Sequence, residues 1–457
     1  GGADEPVNWK LDHDYKPSSM SRWWGMDEPK PATNFDVDKW STRLNTEALA
    51  TVFSESYQTT YSEPVCSSVV IPTNSLYTPI CEWANVGTNW EVSEEQFDMH
   101  VVSLWADGDL SNWNDKFGPT NDAKVFSRLP PTQLRLTQKT TLKEYPAYSR
   151  PVLTKCANQE FNAVTGRLCK VVTYRKFEYN IKHELTEFKN TYFDPEKHNL
   201  LCDYQRDKLT FSDSKVLDWL RERPDSNKIA DELEMILSSG LEVNPINNIK
   251  VHLKLESLLK EVPAESMKQV KARPLMWQTK GYCALFSHIF KEVKIRLKNM
   301  LKANIVYSDG LRADELAARV RQVSDANWLL ENDLAQQDKQ TDHQIIAFEM
   351  ALYKELGVDA GVVNLWHRCH FHWKYKAATV MGIRDAMRLT GQATTAIGNA
   401  ITNMLVHRKL AQQAGNNLKL FLILGDDGLM FTEEMVDVHK LNAEMKTKHN
   451  MMCKPRV

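Results

Sequence analysis

The sequence predicts an α+β fold in which helices separate the strands of an antiparallel sheet. Residues 420–424 are apolar, residues 425–428 read Gly-Asp-Asp-Gly, and three more apolar residues follow. This pattern predicts a strand, a tight turn and a second strand, because Asp-Gly between apolar runs is a strong hairpin signal. Residues 327–334 predict a further strand, and residues 341–356 and 390–405 predict helices before the hairpin. The order is typical of a split βαβ sheet.

Asp426 and Asp427 place two carboxylates at the tip of the predicted hairpin. Neighbouring carboxylates repel each other, and burying them without a partner is costly. A divalent cation would relieve both effects, and oxygen ligands suit Mg²⁺ or Mn²⁺. The alternative is an ordinary exposed turn, in which Asp and Gly are common.

The composition is that of an ordinary globular protein. The chain has 457 residues, of which 42% are hydrophobic and 25% charged, and its formal net charge is −2. This balance carries no global nucleic-acid signature, so a basic surface would have to be local. No apolar run of about 18 residues and no signal-peptide pattern is present. Eight scattered cysteines without a C-x-x-C pair favour reduced thiols in a cytosolic setting.

Residues 1–130 are rich in tryptophan, with weak periodicity. Such aromatic residues could stack on bases, but they more often fill a loop-rich core. Residues 215–239 have helical periodicity, and we expect Pro224 to split them into two helices and Gly240 to end the second.

Residues 268–302 form a local basic segment with nine cations and a single acid. Its first part predicts an extended chain on which Lys271 and Arg273 point to one side, an arrangement that suits a triphosphate. Its second part, residues 284–301, predicts a basic amphipathic helix. The charged face of that helix either contacts phosphates or is plain solvated surface.

Polar residues mark the ends of the predicted elements. Asp333 ends a strand, and Asp338 follows five residues later. Gly391, Thr395 and Asn399 are four residues apart, so they share one face of the predicted helix. That face could lie against a sugar and its base pair, or it could pack closely on another helix.

A cluster of possible metal ligands precedes Trp373. It consists of His367, Cys369, His370 and His372. A zinc site needs four converging ligands, and nothing nearby completes the set. A polar helix face is therefore the preferred interpretation.

In their order these motifs resemble those of viral RNA-dependent RNA polymerases. The basic segment is followed by D-x4-D at Asp333 and Asp338, by T-G-x3-T-x3-N at residues 390–399 and by Gly-Asp-Asp at residues 425–427. The sequence is most similar to the alphavirus-like group, which includes tobamoviruses and bromoviruses. The resemblance covers residues 249–431, and four ordered motifs are far more specific than one.

The resemblance implies two-metal nucleotidyl transfer, in which an RNA 3′-hydroxyl attacks the α-phosphate of a nucleoside triphosphate. Asp333 and Asp426 would bridge two Mg²⁺ or Mn²⁺ ions, and Asp427 would support the site. Lys446 or Lys448 could protonate the pyrophosphate leaving group.

The resemblance also implies where nucleotide and RNA bind. Lys271 and Arg273 would neutralise the triphosphate, while Asp338 and Asn399 would read the ribose 2′-hydroxyl. Thr395 would complete the nucleotide site. Template and primer would lie against Gly391 and Thr394.

The implied architecture is a right-hand polymerase fold with fingers and palm. Residues 1–160 would form an N-terminal extension and the start of the fingers, residues 161–310 the fingers, and residues 311–457 the palm. We expect a helix over residues 433–446 and then too little sequence for a thumb, which would be largely missing. The chain would be a fragment whose palm sheet lacks its final strands and which extends primers poorly.

The implied partners are RNA template and primer or product, nucleoside triphosphates, and capping and helicase domains of a replicase polyprotein. Host membranes would be contacted only indirectly, in replication complexes of the host cytoplasm. Two alternatives remain open. A reverse transcriptase would use the same metal chemistry, although Asp338 and Asn399 argue against it. A catalytically incomplete fragment would serve as an RNA-binding scaffold.

Overall fold

The structure is a computed structural model, and its description covers most of the chain from residue 174 onward and short segments before it. The described ranges are 35–47, 123–127, 160–161, 163–169, 174–243, 247–254, 272–370, 373–377, 380–384 and 386–457. Lys271, His372 and most of the N-terminal tryptophans lie outside them, so the predictions for those residues stay predictions. Trp40 is described, and it is fully buried with its Nε1 3.2 Å from Oδ1 of Asn227.

Helices make up much of the described chain. They are α1 (Val37–Ser41), α2 (Ile181–Tyr192), α3 (His198–Arg206), α4 (Asp213–Arg221), α5 (Ser226–Val243), α6 (Lys280–Met300), α7 (Ala313–Arg321), α8 (Gln337–Gln340), α9 (His343–Glu355), α10 (Ala360–Cys369), α11 (Thr395–Ala414) and α12 (Val438–His449).

The described strands form two five-stranded sheets. The first sheet has the order β1-β7-β6-β2-β3, and the second has the order β10-β5-β9-β8-β4. Their bounds are β1 (Ala123–Ser127), β2 (Asn248–Lys254), β3 (Arg273–Gln278), β4 (Ile305–Tyr307), β5 (Trp328–Ala335), β6 (Trp373–Lys376), β7 (Val380–Arg384), β8 (Leu418–Leu424), β9 (Asp427–Thr432) and β10 (Met452–Arg456). This mixed helix and sheet content agrees with the predicted α+β class.

The second sheet has one covered face and one partly open face. Leu330 and Met430 belong to the main core, which α11 builds against β8 and β9. On the opposite face, Leu422 and Phe431 pack with residues of α7 in a smaller cluster. Side chains alternate along a strand, so Asp333, three positions after Leu330, lies on the partly open face. It is beyond the part of that face that α7 covers. Its side chain is 46% exposed.

The helical pattern before residue 243 is confirmed in part. As predicted, the chain breaks near Pro224, because α4 ends at Arg221 and α5 begins at Ser226. The predicted stop at Gly240 is wrong, since α5 continues to Val243. A glycine inside a helix costs only about 1 kcal/mol relative to alanine, which the rest of a long helix can offset.

The later elements match the predictions with shifted bounds. Strand β5 carries Asp333 as expected, and the predicted helix at 341–356 corresponds to α9. The helix predicted over 390–405 begins only at Thr395, so Gly391 is not on its face. The helix predicted over 433–446 corresponds to α12.

The expectation that the sheet lacks a strand after this last helix is wrong. After α12 the chain turns at Asn450, which has a left-handed φ of 56°, and enters β10. Strand β10 pairs antiparallel with β5, from Met452 opposite Ala335 to Arg456 opposite Glu331. In the described part of the chain, no helix is both long enough and apolar enough to span a membrane.

Candidate active site

The Gly-Asp-Asp-Gly hairpin forms as predicted, but Gly425 and Asp426 make its turn. Leu424 pairs with Asp427, so Asp427 already belongs to β9. Gly425 has a φ of 60°, a left-handed conformation that glycine adopts without strain. Asn403 of α11 donates from Nδ2 to the carbonyl oxygen of Gly425 at 3.3 Å, which ties the turn to the helix. The two carboxylates therefore leave the chain from different parts of the hairpin.

Three charged side chains form a row across neighbouring strands. Asp333 of β5 is the partner of Asp427 in β9 on one side and of Lys454 in β10 on the other. Because cross-strand partners point to the same face of a sheet, all three side chains lie on the partly open face. Lys454 Nζ is 3.1 Å from Asp333 Oδ2. Strand register thus brings together two carboxylates that are far apart in sequence.

The carboxylates have the donor chemistry of a divalent-cation site. Burial raises the pKa of Asp427, and the negative charges of Asp426 and Asp333 raise it further. A cation would relieve this repulsion, and hard divalent ions prefer carboxylate oxygens. Within the described ranges, no three His, Cys, Asp or Glu side chains are already gathered as a metal-ligand group. The residue types fit such an ion, and the side chains would have to close around it.

Asp338 and Asn399 meet beside this row. Asn399 of α11 donates from Nδ2 to Asp338 Oδ1 at 2.9 Å. Burial raises the pKa of Asp338; the hydrogen bond from Asn399 and the charge of Arg388 oppose that rise, while Asp426 adds to it. The pair therefore lies within electrostatic reach of the hairpin. Asn399 Oδ1 is buried and finds no hydrogen-bond partner among the residues described, so it is available as an acceptor.

Residues 390–394 run as a loop along the free edge of β3. Gly391 donates its backbone N–H to the carbonyl oxygen of Met276 at 2.9 Å. A Cβ on Gly391 would lie 2.8 Å from Cβ of Trp277, so any other residue would push the loop off the strand. The glycine of the predicted T-G motif is needed for this close approach.

Thr394 and Thr395 lie at the start of α11, next to the loop. Thr395 Oγ1 donates to the carbonyl oxygen of Leu389 at 2.6 Å and accepts the backbone N–H of Gln392 at 3.0 Å. Thr394 is fully buried. The hydroxyl of Thr395 thus shapes the chain that precedes Asn399.

Most of the cations of α6 are paired with other groups of the protein. Arg296 is buried and acts as a link between segments, donating also to the carbonyl oxygens of Tyr204 and Leu356. A phosphate at these side chains would compete with protein contacts, least so at Lys280, whose side chain is 58% exposed. The pairs are Lys280 with Asp225, Lys294 with Asp309, Arg296 with Asp207, and Lys298 with the carbonyl oxygen of Asp309.

A basic face that we did not predict lies on the first sheet. Lys250 and Lys376 are direct partners on neighbouring parallel strands, and both are exposed. On the same face, His252 stacks on the half-buried Trp277 with ring centroids 4.5 Å apart. Strands β2, β3 and β6 contain no acidic residue. The strand register gathers these cations on this face: Lys250, Lys254, Arg273, Lys374 and Lys376.

Sequence carried one signal for this face that we missed. Lys250, His252 and Lys254 alternate with apolar residues, which is the period of a half-buried strand. Their connection to Arg273 and Lys376 depends on strand pairing, which local patterns do not reveal.

The lysines of α12 contact other elements. Lys448 Nζ is 2.9 Å from Glu184 Oε1, and Lys446 Nζ lies 5.9 Å from the ring centroid of Tyr174. Lys454, which the sequence did not single out, is the lysine that the structure puts against Asp333.

The His/Cys cluster is buried rather than a polar helix face. Cys369 and His370 are at most 1% exposed, and His367 is 8% exposed. His370 bonds the carbonyl oxygen of Trp366 at 2.9 Å through Nδ1 and Gln392 at 3.0 Å through Nε2. Burial lowers the pKa of His370 to about 3, so the ring is neutral. Its two nitrogens are used inside the core.

Comparison with known proteins identifies the family. The RNA dependent RNA polymerase family matches residues 156–455, about two thirds of the chain. The chain belongs to this polymerase family. The match includes all the residues of the carboxylate row and of the Asp338–Asn399 pair.

Three relatives of this polymerase chain are parts of large viral polyproteins. Replicase polyprotein 1ab of Beet yellows virus (isolate Ukraine) is 26% identical over 251 residues, which is 53% of this chain and 8% of that protein. Non-structural polyprotein pORF1 of Hepatitis E virus genotype 1 is 23% identical over 156 residues, 34% of this chain and 9% of that protein. The RNA replication polyprotein of Apple stem pitting virus is 28% identical over 120 residues, 26% of this chain and 5% of that protein.

These similarities confirm the predicted likeness to alphavirus-like viral polymerases. The chain spans less than a tenth of the length of each of these relatives. RNA-dependent RNA polymerases generally use divalent metal ions, which agrees with the carboxylate chemistry of the site.

Proposed function

We propose that the chain catalyses template-directed RNA synthesis in viral genome replication, by transfer of a nucleotide to an RNA 3′-hydroxyl. The observation that carries this proposal is the row in which Asp333 and Asp427 are strand partners beside the turn residue Asp426. Family membership supports the reaction class. The Asp338–Asn399 pair beside the row supports ribonucleotides as the substrate.

Asp333, Asp426 and Asp427 are proposed to hold two divalent ions, Mg²⁺ or Mn²⁺. Such ions, when bound, activate the attacking hydroxyl and stabilise the leaving oxygen. Asp333 has to exchange its contact with Lys454 for this role. The ammonium of Lys454 would then be free beside the reacting phosphates, where it could donate a proton to pyrophosphate; the contacts of Lys446 and Lys448 make them weaker candidates.

Other residues are proposed to bind and orient the substrates. Asp338 and Asn399 would hydrogen-bond the ribose 2′-hydroxyl, supported by the unpartnered Oδ1 of Asn399. Lys271 and Arg273 would contact the triphosphate. Thr395 would act indirectly, by shaping the loop before Asn399.

Template RNA is proposed to follow the basic face of the first sheet toward Gly391. Phosphates would neutralise the paired Lys250 and Lys376, since like charges on partner positions are otherwise unfavourable. Bases could stack on Trp277, whose strand touches the loop at Gly391. Thr394 is buried, so its part in RNA binding would be through the loop.

We propose a division into residues 1–160, 161–310 and 311–457, and a split βαβ topology for the palm. Capping and helicase domains are proposed as neighbours because the relatives are far longer polyproteins. Replication complexes of the host cytoplasm, with membranes contacted only indirectly, are the proposed location.

The test is primer extension on a short RNA template with Mg²⁺ or Mn²⁺. We expect ribonucleotide incorporation that Asp426→Ala abolishes. The control is Asp218→Ala, which removes an exposed carboxylate of α4. Incorporation that survives Asp426→Ala would contradict the proposed site. RNA binding with no incorporation by the unaltered chain would favour the scaffold alternative, and a preference for deoxynucleotides would favour a reverse transcriptase.

A further inference from the structure

A buried ion pair lies directly beneath the Asp338–Asn399 contact. We propose that Arg388 and Glu349 are positioning residues that set the geometry of this contact and thereby the preference for ribonucleotides. The inference rests on the proposed function, because it assumes that Asp338 and Asn399 read the ribose.

The ion pair is enclosed by protein on all sides. Arg388 and Glu349 are both 0% exposed. The guanidinium makes two bonds to the carboxylate, Nη1 to Oε1 at 3.2 Å and a shorter one from Nη2 to Oε2. Tyr353 donates its hydroxyl to the same carboxylate at 2.6 Å. Planar, two-point contacts of this kind fix the orientation of both side chains.

The pair joins the two segments that carry the ribose-reading side chains. The backbone N–H of Arg388 donates to the carbonyl oxygen of Asp338 at 3.0 Å. On the other side, the guanidinium lies against Gly398, the residue next to Asn399 in α11. A Cβ on Gly398 would be only 2.0 Å from Nη1. Arg388 therefore touches the backbone on both sides of the Asp338–Asn399 bond.

Glu349 anchors this arrangement to a third element. It belongs to α9, whose buried face is part of the main core. A displacement of Arg388 would shift the Asp338 backbone and the start of α11 relative to each other. Within the described residues, a single hydrogen bond joins the side chains of Asp338 and Asn399. The geometry of that bond therefore depends on how the two backbone segments are held.

Stability alone gives little reason for charges at this position. Well-packed apolar side chains in place of a buried ion pair are often as stable or more stable, because the charges no longer have to be desolvated. The role that we test for the Arg388–Glu349 pair is to specify one geometry of the Asp338–Asn399 contact. The charge of Arg388 also opposes the burial-induced rise in the pKa of Asp338.

The main test replaces the charges with apolar groups of similar size. The variant combines Arg388→Met, Glu349→Leu and Tyr353→Phe, which removes the guanidinium, the carboxylate and the hydroxyl together. The carbonyl oxygen of Thr394 loses the guanidinium at 3.5 Å but keeps the backbone N–H of Gly398 at 2.7 Å. We expect it to fold and to lose at least about fivefold of its preference for ribonucleotides, the smaller end of the effect of one lost hydrogen bond. The preference is measured as the ratio of kcat/KM for a ribonucleotide and its 2′-deoxy analogue. It is also measured as the ratio of their equilibrium affinities on a primer–template.

The matched control is a second buried ion pair, which joins α11 to α2. Arg408 Nη2 is 3.0 Å from Glu184 Oε2, and both side chains are 6% exposed. Arg408→Met with Glu184→Leu should change the melting temperature without changing the sugar preference. A sugar preference that falls equally in this control would reduce the role of Arg388 and Glu349 to general stability and overturn the inference.

A milder change keeps the test informative if the triple variant does not fold. Gly398→Ala should displace the guanidinium and lower the ribonucleotide preference, and Arg388→Lys in the same chain should restore part of it by removing the clash. An unchanged preference in a folded Gly398→Ala chain would overturn the inference. Ribose-selective binding without incorporation would count against the proposed reaction alone, while absence of ribose selectivity in the unaltered chain would count against the inference.

Discussion

Lys454 Nζ contacts Asp333 Oδ2 at 3.1 Å, from a strand that lies directly beside that of the aspartate. The lysine thus occupies part of the surface through which Asp333 would bind a cation. Both side chains remain substantially exposed, 67% for Lys454 and 46% for Asp333, so the contact can be exchanged at low cost. Lys454 is therefore a partner that Asp333 can release when a cation binds.

We expect Lys454→Gln to bind Mn²⁺ more tightly in the absence of RNA and nucleotide. Exposed ion pairs contribute about 0.2–1 kcal/mol, which corresponds to roughly 1.4- to 5-fold in affinity. Electron paramagnetic resonance of free Mn²⁺ measures the change. Lys182→Gln, at an exposed position of α2, is the control. Unchanged or weaker binding by Lys454→Gln would show that the ion pair does not compete with the metal.

We expect Asn399→Ala to lose sugar discrimination more than turnover. Within the described chain, Asn399 is the side chain that donates to Asp338, and the substitution leaves this half-buried carboxylate without that donor. Loss of such a bond costs about 1–3 kcal/mol, or roughly 5- to 150-fold in selectivity. Competition between a ribonucleotide and its 2′-deoxy analogue in single-nucleotide extension measures the effect.

The control for Asn399 is Gln413→Ala, at an exposed position of the same helix. It should leave both turnover and selectivity unchanged. If Asn399→Ala polymerises with its ribonucleotide preference intact, the pair does not read the ribose.

The buried His407 should make the protein less stable in acid. Its Nδ1 donates to the carbonyl oxygen of Asn403 at 2.9 Å, so Nε2 is the acceptor for Asn332 at 2.7 Å. Burial lowers the pKa of His407 to about 4 from an ordinary 6.5, and His449 lies close enough to interact with it electrostatically. A lowered pKa means that the stabilisation is fully present above pH 6.5, declines as the pH falls below 6.5 and is lost below pH 4.

Between pH 7.5 and 5.5 this single group should lower the free energy of unfolding by about 1 kcal/mol, because only the unfolded chain takes up the proton. Urea titrations at the two pH values measure the difference. His407→Gln should flatten the pH dependence by that amount, whereas His183→Gln, at an exposed position of α2, should not. An unchanged slope in His407→Gln would show that the histidine is not the acid-sensitive group.

The basic face of the first sheet should control the salt dependence of RNA binding. Each cation that contacts single-stranded RNA contributes about 0.7 to the slope of log K against log salt. Lys250→Gln with Lys376→Gln should therefore reduce that slope by about 1.4, as measured by fluorescence anisotropy of a labelled single strand.

The matched control changes two exposed lysines elsewhere, Lys182→Gln and Lys291→Gln. It keeps the net charge equal to that of the test variant and should leave the slope nearly unchanged. Equal slopes for the two double variants would place the RNA on another surface.

Local patterns were sufficient to predict the hairpin, strand β5 and the aspartates that they carry. Five consecutive apolar residues followed by Gly-Asp-Asp-Gly leave few alternatives to a buried strand and a tight turn, because both are decided within a few residues. The spacing of Asp333 and Asp338, and of Thr395 and Asn399, is likewise a property of the chain itself. The sequence also indicated the family, through the order of these motifs.

The fate of individual charges was not predictable in the same way. Arg296 and Lys294 belong to a helix that is basic in sequence, yet one is buried against backbone carbonyls and the other is paired with Asp309. Conversely, Lys250 and Lys376 are 126 positions apart in number and become neighbours only through parallel pairing of their strands. Whether a cation is free depends on residues that local sequence does not identify.

The sequence by itself determined the residue types of the candidate site, the strands and helices that carry them, and the reaction class that their order implies. Tertiary structure decided which residues face one another. It put Lys454 against Asp333, seated Gly391 on β3 and buried Arg388 with Glu349 beneath Asp338 and Asn399. The physical reason is that strand register and helix packing fix these distances, and both are set by the burial of the whole core rather than by any short stretch of the chain.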